Sequence, residues 1–276
     1  VSLTRRVRQP AVAGTFYPGS PAPLLAAVQE LLAVPGAVPA PAVAAVAPHA
    51  GYVYSGRTAG AVFARLEVPR TCVVLAPNHT GAGDAAEGGS LYAVGSFVTP
   101  VGEIPVDETA AAALLARCDV LQDDPAAHAR EHAVEVELPF LLARQPQLRI
   151  VPIVLGWSDW PRTRRLAEAL AAVVREAPEP VLLLASSDMN HYESAAVAAR
   201  KDAVALEAAE RLDGEALLDV TRRHQVSMCG RVPAAAVLHA ARLLGATRAE
   251  VVDYRHSGAV SGDDGSVVSY AGLIAR

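Results

Sequence analysis

Four runs of consecutive aliphatic residues, at 43–47, 71–76, 149–155 and 180–185, set the tightest limit on how this chain can fold. A strand that is apolar at nearly every position, rather than at every second one, is covered on both faces. Between the runs lie segments whose apolar residues recur at helical spacing. Ser20 and Pro21 open one of them, with Leu24, Leu25, Val28, Leu31 and Leu32 behind. Residues 162–176 put Leu166, Leu170, Val173 and Val174 on one face. Further helices are expected at 57–66, from an Asp107 cap through 116, at 132–144 with a kink at Pro139, and at 198–211, 214–224 and 234–244. Residues 90–98, 250–254 and 266–274 read as strands, and 101–106 as an irregular segment. This alternation predicts an α/β fold, with a central, mostly parallel or mixed sheet flanked by helices. No repeat or linker divides the chain, so a single domain over 1–276 is expected.

Charge and composition close off several functions. The 24 Lys+Arg against 29 Asp+Glu leave a formal net charge of −5, and no basic run breaks that balance. A nucleic-acid partner is therefore not expected. The longest uncharged stretch, around 31–54, is interrupted by Pro35, Pro39, Pro41 and Pro48, which a membrane-spanning helix would not carry. Arg5, Arg6 and Arg8 are followed by Pro10 and Gly14, where a secretory signal would have its apolar run. Cys72, Cys118 and Cys229 are odd in number and lack CxxC spacing, which argues against a disulfide framework. A cytoplasmic protein without membrane contact is expected.

Three histidines share a position in this reading. His49, His79 and His191 each follow an expected strand, and Asp188 lies three residues before His191. Open α/β sheets gather ligands at the carboxyl ends of their strands, so these loops can converge on one crevice. Imidazoles converging with a carboxylate or thiolate suit a first-row transition metal. Any one of them alone reads better as a hydrogen-bonded loop residue, and three at equivalent places bring the metal reading level with it. Cys229 sits in a Gly/Pro loop before a helix, where a helix N-terminus favours a thiolate, and Arg231 beside it can hold an anion. In the segment REHAVEVELPF, Glu131, His132 and Glu135 are candidates to orient a ligand or contact substrate, while a solvated face accounts for Glu137 equally well. His128 and His132 are four apart but do not form HExxH, and the chain has no P-loop, GxGxxG or GxSxG pattern.

Six blocks occur in order: AGTFYPG (13–19), PHAGYVYSG (48–56), PNHTG (77–81), EHAVEVELPF (131–140), SSDMNHY (186–192) and MCGRVP (228–233). With them the chain resembles the MEMO family (mediator of ErbB-driven cell motility), whose prokaryotic members are called AmmeMemoRadiSam system protein B. That family in turn resembles class III extradiol dioxygenases. The resemblance implies a dioxygenase-like α/β fold with a metal pocket. It implies that His49 and His79 match two histidine ligands, that Cys229 stands where the dioxygenases have a carboxylate ligand, and that His191, with Asp188 near it, matches their acid/base histidine. A thiolate in that place favours copper(I) or zinc, or retunes iron, so ring opening does not carry over. The implied cofactor is iron or copper, with zinc the alternative. The implied function is a metal-dependent oxidoreductase working beside radical SAM and AMMECR-type proteins. The other reading is a non-enzymatic adaptor whose vestigial pocket takes a peptide or small ligand.

Overall fold

The computed structural model describes residues 6–83 and 88–276. Four of the aliphatic runs form its centre. Strands Ala44–Ala47, Val181–Ser186, Thr71–Pro77 and Arg149–Leu155 lie side by side in that order, all parallel. Almost every residue in them is buried, as expected of strands covered on both faces. Beyond Arg149–Leu155, Gly89–Leu91 adds antiparallel and Leu121–Asp123 completes that edge. On the opposite side Val267–Ala275 runs antiparallel to Ala44–Ala47 and also pairs with Ala249–His256 and His191–Glu193. The sheet is thus mixed, with a parallel centre and antiparallel margins. A second small sheet joins Val7–Arg8, Ser96–Thr99 and Gly102–Pro105.

The helices form two groups around the main sheet. Tyr52–Phe63 packs on Ala44–Ala47 and Val267–Ala275, and against Pro21–Leu32 and Leu138–Arg144. Arg231–Leu243 packs on the three strands Ala44–Ala47, Val181–Ser186 and Thr71–Pro77, with Trp160–Glu176, Gly214–Arg223 and Ala195–Glu210 around it. Its Ala234, Ala235, Ala236, Ala240 and Ala241 are fully buried, and these small side chains bring the helix close to the sheet. The α/β class and the mixed, helix-flanked sheet read from the sequence hold. Among the described residues, no helix is long and apolar enough to cross a membrane.

Four readings of the sequence take a different form in the structure. The helix expected at 57–66 starts five residues earlier, as Tyr52–Phe63. Its first turn is held by tertiary bonds: Tyr52 N–H donates to Phe16 O at 2.8 Å and its hydroxyl to Val136 O at 2.9 Å. The strand expected at 90–98 splits between the two sheets, as Gly89–Leu91 and Ser96–Thr99. Gly95 makes the break: its φ is +113°, and a Cβ there would lie 2.0 Å from Arg6 O. The segment read as irregular at 101–106 pairs with it as strand Gly102–Pro105. The helix expected at 132–144 is a 3₁₀ turn, Glu135–Glu137, followed by helix Leu138–Arg144. Pro139 lies in the first turn of that helix, where a missing N–H costs nothing, so it marks a start and not a kink.

Candidate functional site

The carboxyl ends of the parallel strands supply the site. Ala47 is paired with Ser186 at the end of their ladder. His49, His79 and Asp188 each stand two residues beyond the strands that end at Ala47, Pro77 and Ser186. Cys229 arrives from the far side, just ahead of helix Arg231–Leu243. Gly230 permits its approach: a Cβ there would sit 2.3 Å from Ser186 O, and its N–H donates to Ser187 Oγ at 2.9 Å. One ligand atom each from His49, His79 and Cys229 all fall within 4.8 Å of one another.

Each of the two imidazoles is fixed from behind. His49 Nδ1 lies 2.8 Å from Ser186 Oγ, and its Nε2 is 3.3 Å from Cys229 Sγ. His79 Nδ1 is 3.0 Å from Glu131 Oε1. With Nδ1 engaged in both rings, Nε2 is the nitrogen left for a ligand. Glu131 does more than orient His79. Its carboxylate also accepts the backbone N–H groups of His79 (2.7 Å), His132 (2.8 Å) and Ala133 (3.0 Å), and lies 3.3 Å from His132 Nδ1. Burial works to raise the pKa of Glu131, but the His79 hydrogen bond and charge, with the neighbouring N–H groups, outweigh it and hold the carboxyl below its usual range.

His132 completes a cluster of three rings. It stacks on His79 at 4.7 Å between centroids, meets His49 edge-on at 5.3 Å, and is covered by Phe16 at 4.8 Å. Burial, then the neighbouring imidazoles, keeps His49 well below the ordinary histidine pKa, so this ring is neutral and able to ligate. Burial and the Asp188 carboxyl push the Cys229 thiol up. Its Sγ lies between His49 Nε2 at 3.3 Å and Asp188 O at 3.6 Å. Asp188 accepts from the N–H groups of His49 (2.9 Å) and Ala50 (3.3 Å), and donates its own N–H to Cys229 Sγ at 3.2 Å. Burial raises its carboxyl to about 6 against those N–H groups.

A cavity of about 630 Å³ opens over these groups, lined by His49, His79, His132, Asp188, His191 and Tyr54 among others. His191 belongs to its wall. The His191 N–H donates to Ser227 Oγ at 2.8 Å and Nδ1 lies 3.0 Å from Ser227 O, which leaves Nε2 for the cavity. Two residues that the sequence grouped with the site face elsewhere. Glu135 is fully buried against Arg8, Tyr17 Oη (2.5 Å) and the N–H groups of Ala11 (2.8 Å) and Val12 (3.0 Å), so it anchors the N-terminal segment that carries Phe16. Arg231 lines a separate, larger groove of about 1030 Å³ with Asp213, Asp219 and Arg222, and that groove contains none of the clustered histidines.

Sequence reasoning passed over Ser186, Phe16 and Ser227. Ser186 lies inside the SSDMNHY block and ends a buried strand, a signal that was there to use. Phe16 likewise lies inside the AGTFYPG block, whereas Ser227 acts through contacts with Asn190 and His191 far along the chain, for which a single sequence gives no cue.

A family model described as "Memo-like protein" matches residues 8–274. A MEMO1 family protein of Methanopyrus kandleri is 38% identical over 98% of this chain and 99% of its own length. A MEMO1 family protein of Aquifex aeolicus is 39% identical, again over 98% of this chain and 99% of its own. One from Archaeoglobus fulgidus is 38% identical over 98% and 100%. Among solved structures, an uncharacterized protein of Escherichia coli K12 superimposes with a TM-score of 0.49 at 14% identity, covering 83% of this chain and 98% of that one.

Proposed function

This chain belongs to the Memo-like family, and from that premise we propose that His49, His79 and Cys229 hold iron or copper for a redox reaction on a small substrate. The observation that carries the reading is the convergence of three donors from three separate loops within 4.8 Å. Metal–nitrogen bonds of about 2.0–2.1 Å and metal–sulfur bonds of about 2.3 Å set tetrahedral ligands roughly 3.5 Å apart. His49 Nε2 and Cys229 Sγ, at 3.3 Å, already have that spacing. The donor set therefore fits a metal, and its thiolate favours copper(I), zinc or a retuned iron over a hard cation.

When bound, the metal would supply electron transfer and polarise a substrate oxygen. The protein's own groups do the rest. Glu131 and Ser186 hold the two ligand imidazoles so that Nε2 of each faces the cavity. Cys229 would have to lose its proton for a metal to bind, and because burial pushes the thiol up, metal uptake would depend on pH. His191, with Nδ1 engaged by Ser227 O, can pass a proton at Nε2 to a substrate in the cavity, and Asp188 holds the His49 loop in place. Radical SAM and AMMECR-type proteins are the proposed partners in this reading.

A second reading, a binding module for a peptide or small ligand, is favoured by the cavity rim. Val53, Tyr54 and Tyr192, which line it, expose 67%, 43% and 79% of their surface, apolar area that a bound peptide or small ligand would cover. Elemental analysis of anaerobically purified, tag-free protein separates the two. The metal reading expects near-stoichiometric iron or copper that is lost in the His49→Ala/His79→Ala double variant. No metal in either protein after anaerobic reconstitution overturns it in favour of the binding module.

A further inference from the structure

We infer that Glu137 is kept as a neutral carboxylic acid whose O–H points at Ser186, and that this arrangement fixes the His49 tautomer. The inference deepens the metal reading above, because the tautomer decides which nitrogen is free to ligate. Glu137 is a positioning residue here: it touches neither the cavity nor the ligand atoms.

Ser186 Oγ, fully buried at the end of strand Val181–Ser186, lies within reach of three groups. These are Ala133 O at 2.7 Å, His49 Nδ1 at 2.8 Å and Glu137 Oε1 at 2.9 Å. A hydroxyl has one hydrogen to give and two lone pairs to receive. Ala133 O can only accept, so it takes the hydrogen. The other two contacts are then satisfied only if His49 Nδ1 and Glu137 Oε1 each carry a hydrogen and donate it. An ionised Glu137 would compete with Ala133 O for the single hydrogen and leave one buried acceptor unpaired.

The surroundings agree with the count. Glu137 is fully buried, and no arginine or lysine pairs with it among the described residues. Its Oε2 is buried without any hydrogen-bond partner. A carbonyl oxygen of a neutral acid tolerates that far better than half of a carboxylate does. Burial accordingly pushes this acid well above the usual range, with the nearby Asp188 carboxyl adding to it and the Ser186 bond only partly offsetting it. The neighbouring acids behave differently for visible reasons. Glu135 has Arg8, and Glu131 has two imidazoles and three backbone N–H groups.

The consequence is an asymmetric ligand pair. His79 rests on a carboxylate, which makes its Nε2 the stronger donor. His49 rests on a neutral hydroxyl backed by a neutral acid, so its Nδ1 proton stays in place and Nε2 remains open towards Cys229.

Glu137→Gln tests this directly, because an amide N–H reproduces the acid's O–H and not the carboxylate. Capillary electrophoresis of the native proteins at pH 7 should show wild type and Glu137→Gln migrating together. In concentrated urea, where the buried acid is freed and ionises, they should separate by one charge. A native Glu137→Gln protein that is less negative by one charge, against a formal total of −5, overturns the neutral acid. Titration with Co²⁺ reads the positioning role: Glu137→Gln should stay within about threefold of wild type, while Glu137→Leu and Ser186→Ala bind roughly 10–100-fold more weakly. Folded Glu137→Leu and Ser186→Ala proteins with wild-type Co²⁺ affinity would overturn that role. If the wild type takes up no Co²⁺, the metal reading fails on its own account. The electrophoretic result, and ¹⁵N NMR of the His49 tautomer (Nδ1–H expected in wild type and Glu137→Gln, Nε2–H overturning the inference), still decide the question.

Discussion

Removing the Glu131 carboxylate should cost more stability than any other single change at the cavity floor. The three backbone donors it serves, at His79, His132 and Ala133, follow one another around the loops that carry the histidines. Glu131→Ala leaves all three without an acceptor. A buried donor left unpaired costs about 1–3 kcal/mol, and water entering from the cavity recovers part of that, so about 3–5 kcal/mol is expected in all. Glu131→Gln keeps one acceptor oxygen, loses the charge and turns an NH₂ group towards a donor, for about 2–4 kcal/mol. The assay is urea denaturation of metal-stripped protein at pH 7, with the exposed Glu179→Gln as a control expected within about 0.5 kcal/mol of wild type. The sign with pH follows from the lowered Glu131 pKa. Stability from a depressed carboxylate is present above its unfolded pKa and is lost as pH falls through its folded pKa, so the gap to Glu131→Gln should shrink in acid. A Glu131→Ala protein within about 1 kcal/mol of wild type at pH 7 would refute the claim that this carboxylate holds the loops together.

Other expectations follow from particular contacts. Arg8→Met breaks the buried pair with Glu135 and the bonds to His128 O and Glu131 O, and should cost about 3–5 kcal/mol in denaturation; a folded variant within about 1 kcal/mol of wild type would contradict the anchoring role of this pair. His128 is buried, and burial lowers its pKa to about 4, so the unfolded chain binds a proton that the folded one refuses below pH 6.5. Stability is therefore lost as pH falls through that window, and His128→Gln should lose about 2 kcal/mol less than wild type between pH 7 and pH 5; equal losses would contradict it. Cys229→Ser should weaken copper(I) far more than manganese(II) in competition assays, and equal weakening would argue against a thiolate ligand.

What could be read in advance was local. The aliphatic runs at 71–76 and 149–155 became paired central strands because two-sided burial leaves an unambiguous mark. The place of His49, His79 and His191 after strands followed from the same alternation. Asp107 caps helix Glu108–Arg117 as expected, accepting from Ala110 N at 3.1 Å. Long-range partners stayed hidden. Helical spacing at 132–144 gave no hint that Glu135 would meet Arg8, 127 positions earlier, or that Glu137 would turn to Ser186 and not to solvent. The early start at Tyr52 was obscured for a related reason. Val53 and Tyr54 are weak helix formers and Gly51 offers no side-chain cap, so the bond from Tyr52 N–H to Phe16 O sets that boundary.

X-ray absorption at the metal edge of protein reconstituted anaerobically with iron or copper tests the central proposal most directly. The account predicts one sulfur at about 2.3 Å and nitrogen neighbours at about 2.0–2.1 Å, with the sulfur shell absent from Cys229→Ser and the nitrogen shell reduced in His49→Ala. A wild-type spectrum without sulfur, or one that Cys229→Ser leaves unchanged, would contradict it.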